Sequence, residues 1–174
     1  MKKYLLLFIT AALTILSSCR GEDGQDGRDA ENIEAAVIEL TNVNFLPNSF
    51  AILYTFDQQI LASDHVLVYR LSASTPQGDD VWQLLPQNYY FDDGTFNFGY
   101  NFDFTAFDVN VFIDGNDLIT LENVFTQNQI LRIVVVPGRF ARYASADYGI
   151  DYTDYNAVIR SLGLEGKPVK KIKL

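Results

Sequence analysis

The chain has 174 residues, with 22 acidic side chains against 13 basic ones and a formal charge of −9 at neutral pH. One cysteine and one histidine exclude a disulfide framework and a zinc site of the usual Cys- or His-rich kind, and no cofactor motif is present. The acidic balance argues against nucleic acid as a partner, since a polyanion would be repelled.

Lys2 and Lys3 precede an apolar run from Tyr4 to Leu16. That run is shorter than the roughly 20 residues needed to cross a bilayer, and it has the charge and hydropathy pattern of a secretory leader. Leu16-Ser17-Ser18-Cys19 resembles the lipobox of bacterial lipoproteins. The resemblance implies that residues 1–18 are a lipoprotein signal peptide and that Cys19 is acylated, becomes the mature N-terminus and anchors the protein in the membrane. Loss of Lys2 and Lys3 would leave 11 basic residues against 22 acidic ones, a net charge of −11. Residues 19–33 form a Gly-rich acidic tether. Gly21, Gly24 and Gly27 keep a Gly-x-y register, but over too few triplets, and without the proline, for a collagen triple helix. The expected state is a charged, flexible spacer.

Residues 34–163 read as one β domain. Candidate strands are Ala35–Leu40, Phe50–Phe56, His65–Leu71, Val81–Leu85 and Asn88–Asp92. Asp93-Gly94 then signals a two-residue type I′ hairpin. Phe96, Phe98, Tyr100, Phe102 and Phe104 alternate with polar residues and read as one core face. Phe107–Ile113 alternates in the opposite parity, so a bulge or turn is required near Thr105-Ala106. Gln129–Val136 is apolar on both faces except at Arg132, as in a central strand, and Pro137-Gly138 ends it. Asp151 or Thr153 can cap a helix whose buried stripe is Tyr155, Val158, Ile159 and Leu162, with Gly163 as its stop. The expected fold is an all-β, antiparallel sandwich of seven or eight strands, Ig-like or similar, with one C-terminal helix. Residues 164–174 form a basic tail with Lys167, Lys170, Lys171 and Lys173, either solvated or serving as a lysine-blunted edge strand.

Candidate sites are few. Asp92-Asp93-Gly94 and Asp114-Gly115-Asn116-Asp117 do not fit a calcium loop and read as turns. His65 has no G-x-S-x-G partner for a serine triad. The segment from Tyr143 to Tyr155 interleaves tyrosine with aspartate. There Tyr148 and Tyr152 can stack on a sugar ring while Asp147 and Asp151 accept its hydroxyl protons, which makes these four the candidate ligand-binding residues.

Across nearly its whole length the chain resembles flavobacterial (Bacteroidetes) lipoproteins with a lipobox, a short collagen-like Gly-x-y stretch and a β domain of unknown function. The residues that carry this are Leu16–Cys19, Gly21, Gly24 and Gly27, and the segments Val66–Leu71, Asp80–Trp82, Phe91–Phe96 and Val109–Gly115. The resemblance implies an outer-membrane, lipid-anchored location, surface-exposed or periplasm-facing, and carries no catalytic residues. The expectation is an envelope lipoprotein without catalytic activity that binds a glycan or a protein. The alternatives are a small carbohydrate-active enzyme using a carboxylate pair, and a purely structural surface component.

Overall fold

The computed structural model describes residues 36–138 and 150–174. The leader, the tether, Cys19, Tyr143, Asp147 and Tyr148 lie outside these residues. The described residues fall within one compact unit, Ile33–Leu174.

The strands are β1 (Ala36–Val43), β2 (Ala51–Thr55), β3 (His65–Ser74), β4 (Asp80–Leu84), β5 (Gln87–Tyr90), β6 (Phe96–Phe104), β7 (Asp108–Gly115), β8 (Gln129–Val136) and β9 (Lys170–Lys173). They form a five-stranded sheet in the order β4-β3-β8-β1-β9 and a four-stranded sheet in the order β2-β7-β6-β5. The two helices used below are α1 (Asn123–Thr126) and α2 (Tyr155–Ser161). This is the all-β sandwich expected from strand periodicity.

Alternation explains the core. Ile38, Leu40, Val66, Val68, Leu131, Ile133 and Val135 from the larger sheet meet Tyr54, Phe98, Tyr100, Val109, Val111 and Ile113 from the smaller one. The opposite parity of β8 carries Val134 and Val136, which pack with Tyr69, Trp82, Tyr155, Val158, Leu162 and Leu164 in a second core beneath α2. β8 is apolar on both faces because it is the middle strand of a sheet covered on both sides.

Several expectations are corrected. Nine strands are present among the described residues, and one pairing is parallel: β9 lies beside β1, with Ile38 opposite Lys170 and Thr41 opposite Lys173. β9 is the edge strand of the five-stranded sheet, the lysine-blunted edge that was one reading of residues 164–174, so the domain extends past Gly163: Leu164 is buried and Ile172 packs against the inter-sheet core. The core face of β6 is confined to its middle. Phe98 and Tyr100 are buried and Phe102 packs partly against the core, whereas Phe104, the last residue of the strand, is exposed although it still pairs with Val109. Thr105–Asp108 makes the parity switch as a turn, with the Thr105 N–H donating to the Asp108 carbonyl at 2.9 Å.

The β5–β6 hairpin is not type I′. Gly94 has φ +83°, but Asp93 does not share the positive φ that a type I′ turn needs. The Gly94 N–H donates to the Phe91 carbonyl (2.9 Å) and the Phe91 N–H to the Thr95 carbonyl (2.9 Å). This is a three-residue loop, a type I turn closed by a left-handed glycine bulge. Helix α2 is capped by Asp154, whose Oδ1 accepts from the Ala157 N–H at 3.1 Å, rather than by Asp151 or Thr153. Its end matches the expected stop: Gly163 has φ +65°, and the Leu164 N–H reaches the Ile159 carbonyl at 3.0 Å, a Schellman closure.

Candidate functional site

The sequence-predicted ligand residues are placed only in part. Tyr152 is 40% exposed and lines a pocket of about 280 Å³ with His65, Val66, Leu67 and Val136. Its carbonyl accepts from the Tyr69 hydroxyl at 2.7 Å, so its backbone is fixed against the sheet. Asp151 is occupied within its own turn, its Oδ1 accepting from the Thr153 hydroxyl (2.6 Å) and N–H (2.9 Å). These two bonds hold its carboxyl below the ordinary range. Among the described residues its walls are Val66, Leu67 and Val136, with His65 beside Tyr152 as the polar group.

A second pocket, also of about 280 Å³, opens where the β5–β6 hairpin meets the β7–β8 connection, beyond the other end of β8. It is lined by Phe91, Asn97, Phe98, Asn116, Asp117, Thr120, Leu121, Glu122 and Phe125. Alternation puts Phe98 in the core, and its ring stacks on Tyr89 at 4.6 Å and 9°. Phe125 leans on Phe98 at 5.1 Å and on Tyr89 at 5.5 Å. These rings form an apolar wall backed by the inter-sheet core.

The connection is pinned from behind. The Tyr100 hydroxyl donates to the Phe125 carbonyl (2.5 Å). Gln129 Nε2 donates to the carbonyls of Val124 (2.8 Å) and Gln127 (2.7 Å). The Phe45 N–H donates to the Thr126 carbonyl (2.7 Å). A Cβ on Gly115 would lie 2.8 Å from the Asn97 carbonyl oxygen and 2.9 Å from the Phe98 Cβ, so glycine there lets the connection fold closely over β6. On the hairpin side, Asp93 Oδ1 takes the Thr95 hydroxyl (2.7 Å) and N–H (2.9 Å).

What this pocket offers is unspent. Among the described residues, the side chains of Asn97, Asn116, Asp117 and Glu122 make no hydrogen bond or ion pair with the protein. Phe91 is 54% exposed. The segments that line the pocket also expose Tyr90, Ile119 and Val124. Amides that both donate and accept, carboxylates that accept, and aromatic rings thus share one small concavity. Asp117 and Glu122 sit in it together, whereas Asp92 does not line it.

Two of the four lysines of the C-terminal cluster have carboxylate partners. Lys170 pairs with Asp57, and Lys171 Nζ lies 2.8 Å from Glu39 Oε1. Among the described residues no group of three or more potential metal ligands converges, and no helix is long and apolar enough to cross a membrane.

The sequence does not reveal this pocket, because its lining comes from segments up to 34 positions apart: a hairpin turn, the start of β6 and the β7–β8 connection. The available signal is Asp114-Gly115-Asn116-Asp117, which by itself reads as a turn. No family model, curated protein or solved structure matches the chain.

Proposed function

We propose that this protein is a lipid-anchored cell-envelope lipoprotein, held in the outer membrane through Cys19, whose β-sandwich binds a glycan without catalysing a reaction. The observation that carries the binding reading is the pocket in which Phe91, Phe98 and Phe125 stand beside four polar side chains with no partner in the protein. Its volume, about 280 Å³, is at the small end of ligand sites and suits one sugar ring rather than a long chain. An exposed ring such as Phe91 supplies the apolar contact, and the amides and carboxylates bond the hydroxyls.

The test is a glycan array probed with the body, residues 34–174, and with its Phe91→Ala variant. Loss of the ring is expected to weaken binding at least tenfold, which is about 1.4 kcal/mol. Unfolding stability should stay within about 0.5 kcal/mol, as for an exposed side chain. Binding at full strength after Phe91→Ala would overturn the assignment. Asp117 and Glu122 lining one pocket favour a second reading, hydrolysis by a carboxylate pair. Release of reducing ends from a bound oligosaccharide, abolished by Glu122→Gln, would establish it.

The anchoring half of the proposal rests on the lipobox. An acyl chain contributes about 0.8 kcal/mol per buried methylene. Cys19→Ala is therefore expected to move the protein from the membrane to the soluble fraction, or to block its processing. Normal trimming with retention on the membrane would refute lipid attachment.

A further inference from the structure

Arg70 is a buried cation without a carboxylate. It extends from β3 into the space between the sheets and is 6% exposed. Its Nε donates to Gln129 Oε1 at 2.8 Å, and its Nη1 to the Tyr89 hydroxyl at 3.2 Å and Gln87 Oε1 at 3.4 Å. Its guanidinium carbon lies 4.4 Å from the centre of the Tyr100 ring. All of these partners are neutral.

The contrast with the other arginines is informative. Among the described residues, Arg132 pairs with Glu39 at 2.8 Å and Arg160 with Asp154 at 3.9 Å. Arg70 alone has no such partner, in a chain with 22 acidic residues. A buried ion without an opposite charge is costly, and neutral hydrogen bonds together with one aromatic face recover only part of that cost.

Nη2 is the group left over. None of the hydrogen bonds formed by Arg70 uses it. Since no buried side-chain nitrogen or oxygen among the described residues lacks a partner, Nη2 must reach solvent. The guanidinium end lies beside β5, since Nη1 bonds Gln87 and Tyr89, at the seam where the chain passes from β4, an edge strand of one sheet, to β5, an edge strand of the other. Gln83 stands opposite Arg70 on β4, and Gln87 opposite Tyr100 on β5. The two glutamines bond to each other, and Gln87 Nε2 also bonds the Tyr89 hydroxyl at 2.8 Å.

We propose that Arg70 Nη2 is the recognition group of a small-oxyanion site at this seam, taking one oxygen of a carboxylate or a phosphate end-on. Nε and Nη1 are already engaged, so the contact is through one nitrogen rather than the bidentate fork. The rigid amide frame around the guanidinium means that no side chain needs to be ordered on binding.

The test follows the Arg70 Nε–Hε resonance of the 15N-labelled full chain in non-ionic detergent. It is titrated with sodium acetate, sodium phosphate or sodium chloride at constant ionic strength. A saturable shift with acetate identifies a carboxylate ligand, and one at least tenfold tighter with phosphate identifies a phosphoryl ligand. Chloride is expected to give no saturation. Absence of saturation with both oxyanions overturns the proposal. Arg70→Met, followed through the Gln87 side-chain amide, is expected to weaken the oxyanion effect at least tenfold, and an unchanged affinity there also overturns it. If that variant does not fold, the wild-type titration still decides. The same spectra keep this site apart from the sugar pocket, since a neutral sugar should move the backbone amides of Phe91 and Asn97 instead.

Discussion

Replacing Glu39 by alanine is expected to destabilise the protein by about 3–5 kcal/mol, the range for breaking a buried ion pair from one side. Glu39 on β1 lies opposite Arg132 on β8 and Lys171 on β9, so one row across three strands carries the charges +, −, +. Its Oε2 accepts from Arg132 Nε (2.9 Å) and lies 2.8 Å from Nη2, and its Oε1 takes Lys171. The Arg132 guanidinium also sits 4.0 Å over Trp82 and 5.0 Å over Tyr155. Without the carboxylate, that cation is left in the second core with only aromatic faces to meet it.

The effect should depend on pH. Burial pushes the Glu39 carboxyl up, but the bonds and charges of Lys171 and Arg132 outweigh burial and hold it below its ordinary 4.5. A carboxyl depressed by folding contributes its stability above the unfolded-state value. It loses that stability as the pH falls through the lower folded-state value. Urea unfolding at pH 7 should therefore separate wild type from Glu39→Ala widely, and the gap should narrow when the pH is taken below about 4.5. A gap of constant size would mean that the carboxylate charge does not carry the stability.

Tyr155→Ala should cost a similar amount, about 3–5 kcal/mol, as for other large buried aromatics. Tyr155 is 8% exposed. It meets Tyr69 edge-on at 5.2 Å and Trp82 at 5.7 Å, and it joins α2 to the outer face of the five-stranded sheet. Tyr152→Ala should cost less than about 1 kcal/mol, because the bond it provides to Tyr69 comes from its main-chain carbonyl, which alanine keeps. Thermal unfolding of the two variants side by side tests this. Equal losses would show that the Tyr152 ring is part of the core and would remove it from the candidate ligand residues.

The sequence read well where one residue's environment follows from its near neighbours. Strand signals in the sequence coincide with the eight strands from β1 to β8, and the double-sided apolar run identifies β8 as central. The stripe Tyr155, Val158, Ile159 and Leu162 located α2, and Gly163 its end. It read less well at the hairpin, where Asp-Gly serves both type I′ and the type I turn with a glycine bulge. The choice depends on how Tyr89 and Phe98 align across the strands. Half of the predicted ligand set, Asp147 and Tyr148, lies outside the described residues.

What the sequence determined by itself was fold class, because strand and helix periods are imposed by local backbone geometry and show in any short window. Strand partners were a tertiary decision. Lys171 becomes a ligand of Glu39 only because β9 docks in parallel beside β1 across more than a hundred residues, a choice made by shared burial rather than by any local preference. The same holds for both candidate sites. Phe91 meets Glu122, and Arg70 meets Gln129, only after two sheets have closed on a common core, and no pattern along the chain encodes which side chains are left there without partners.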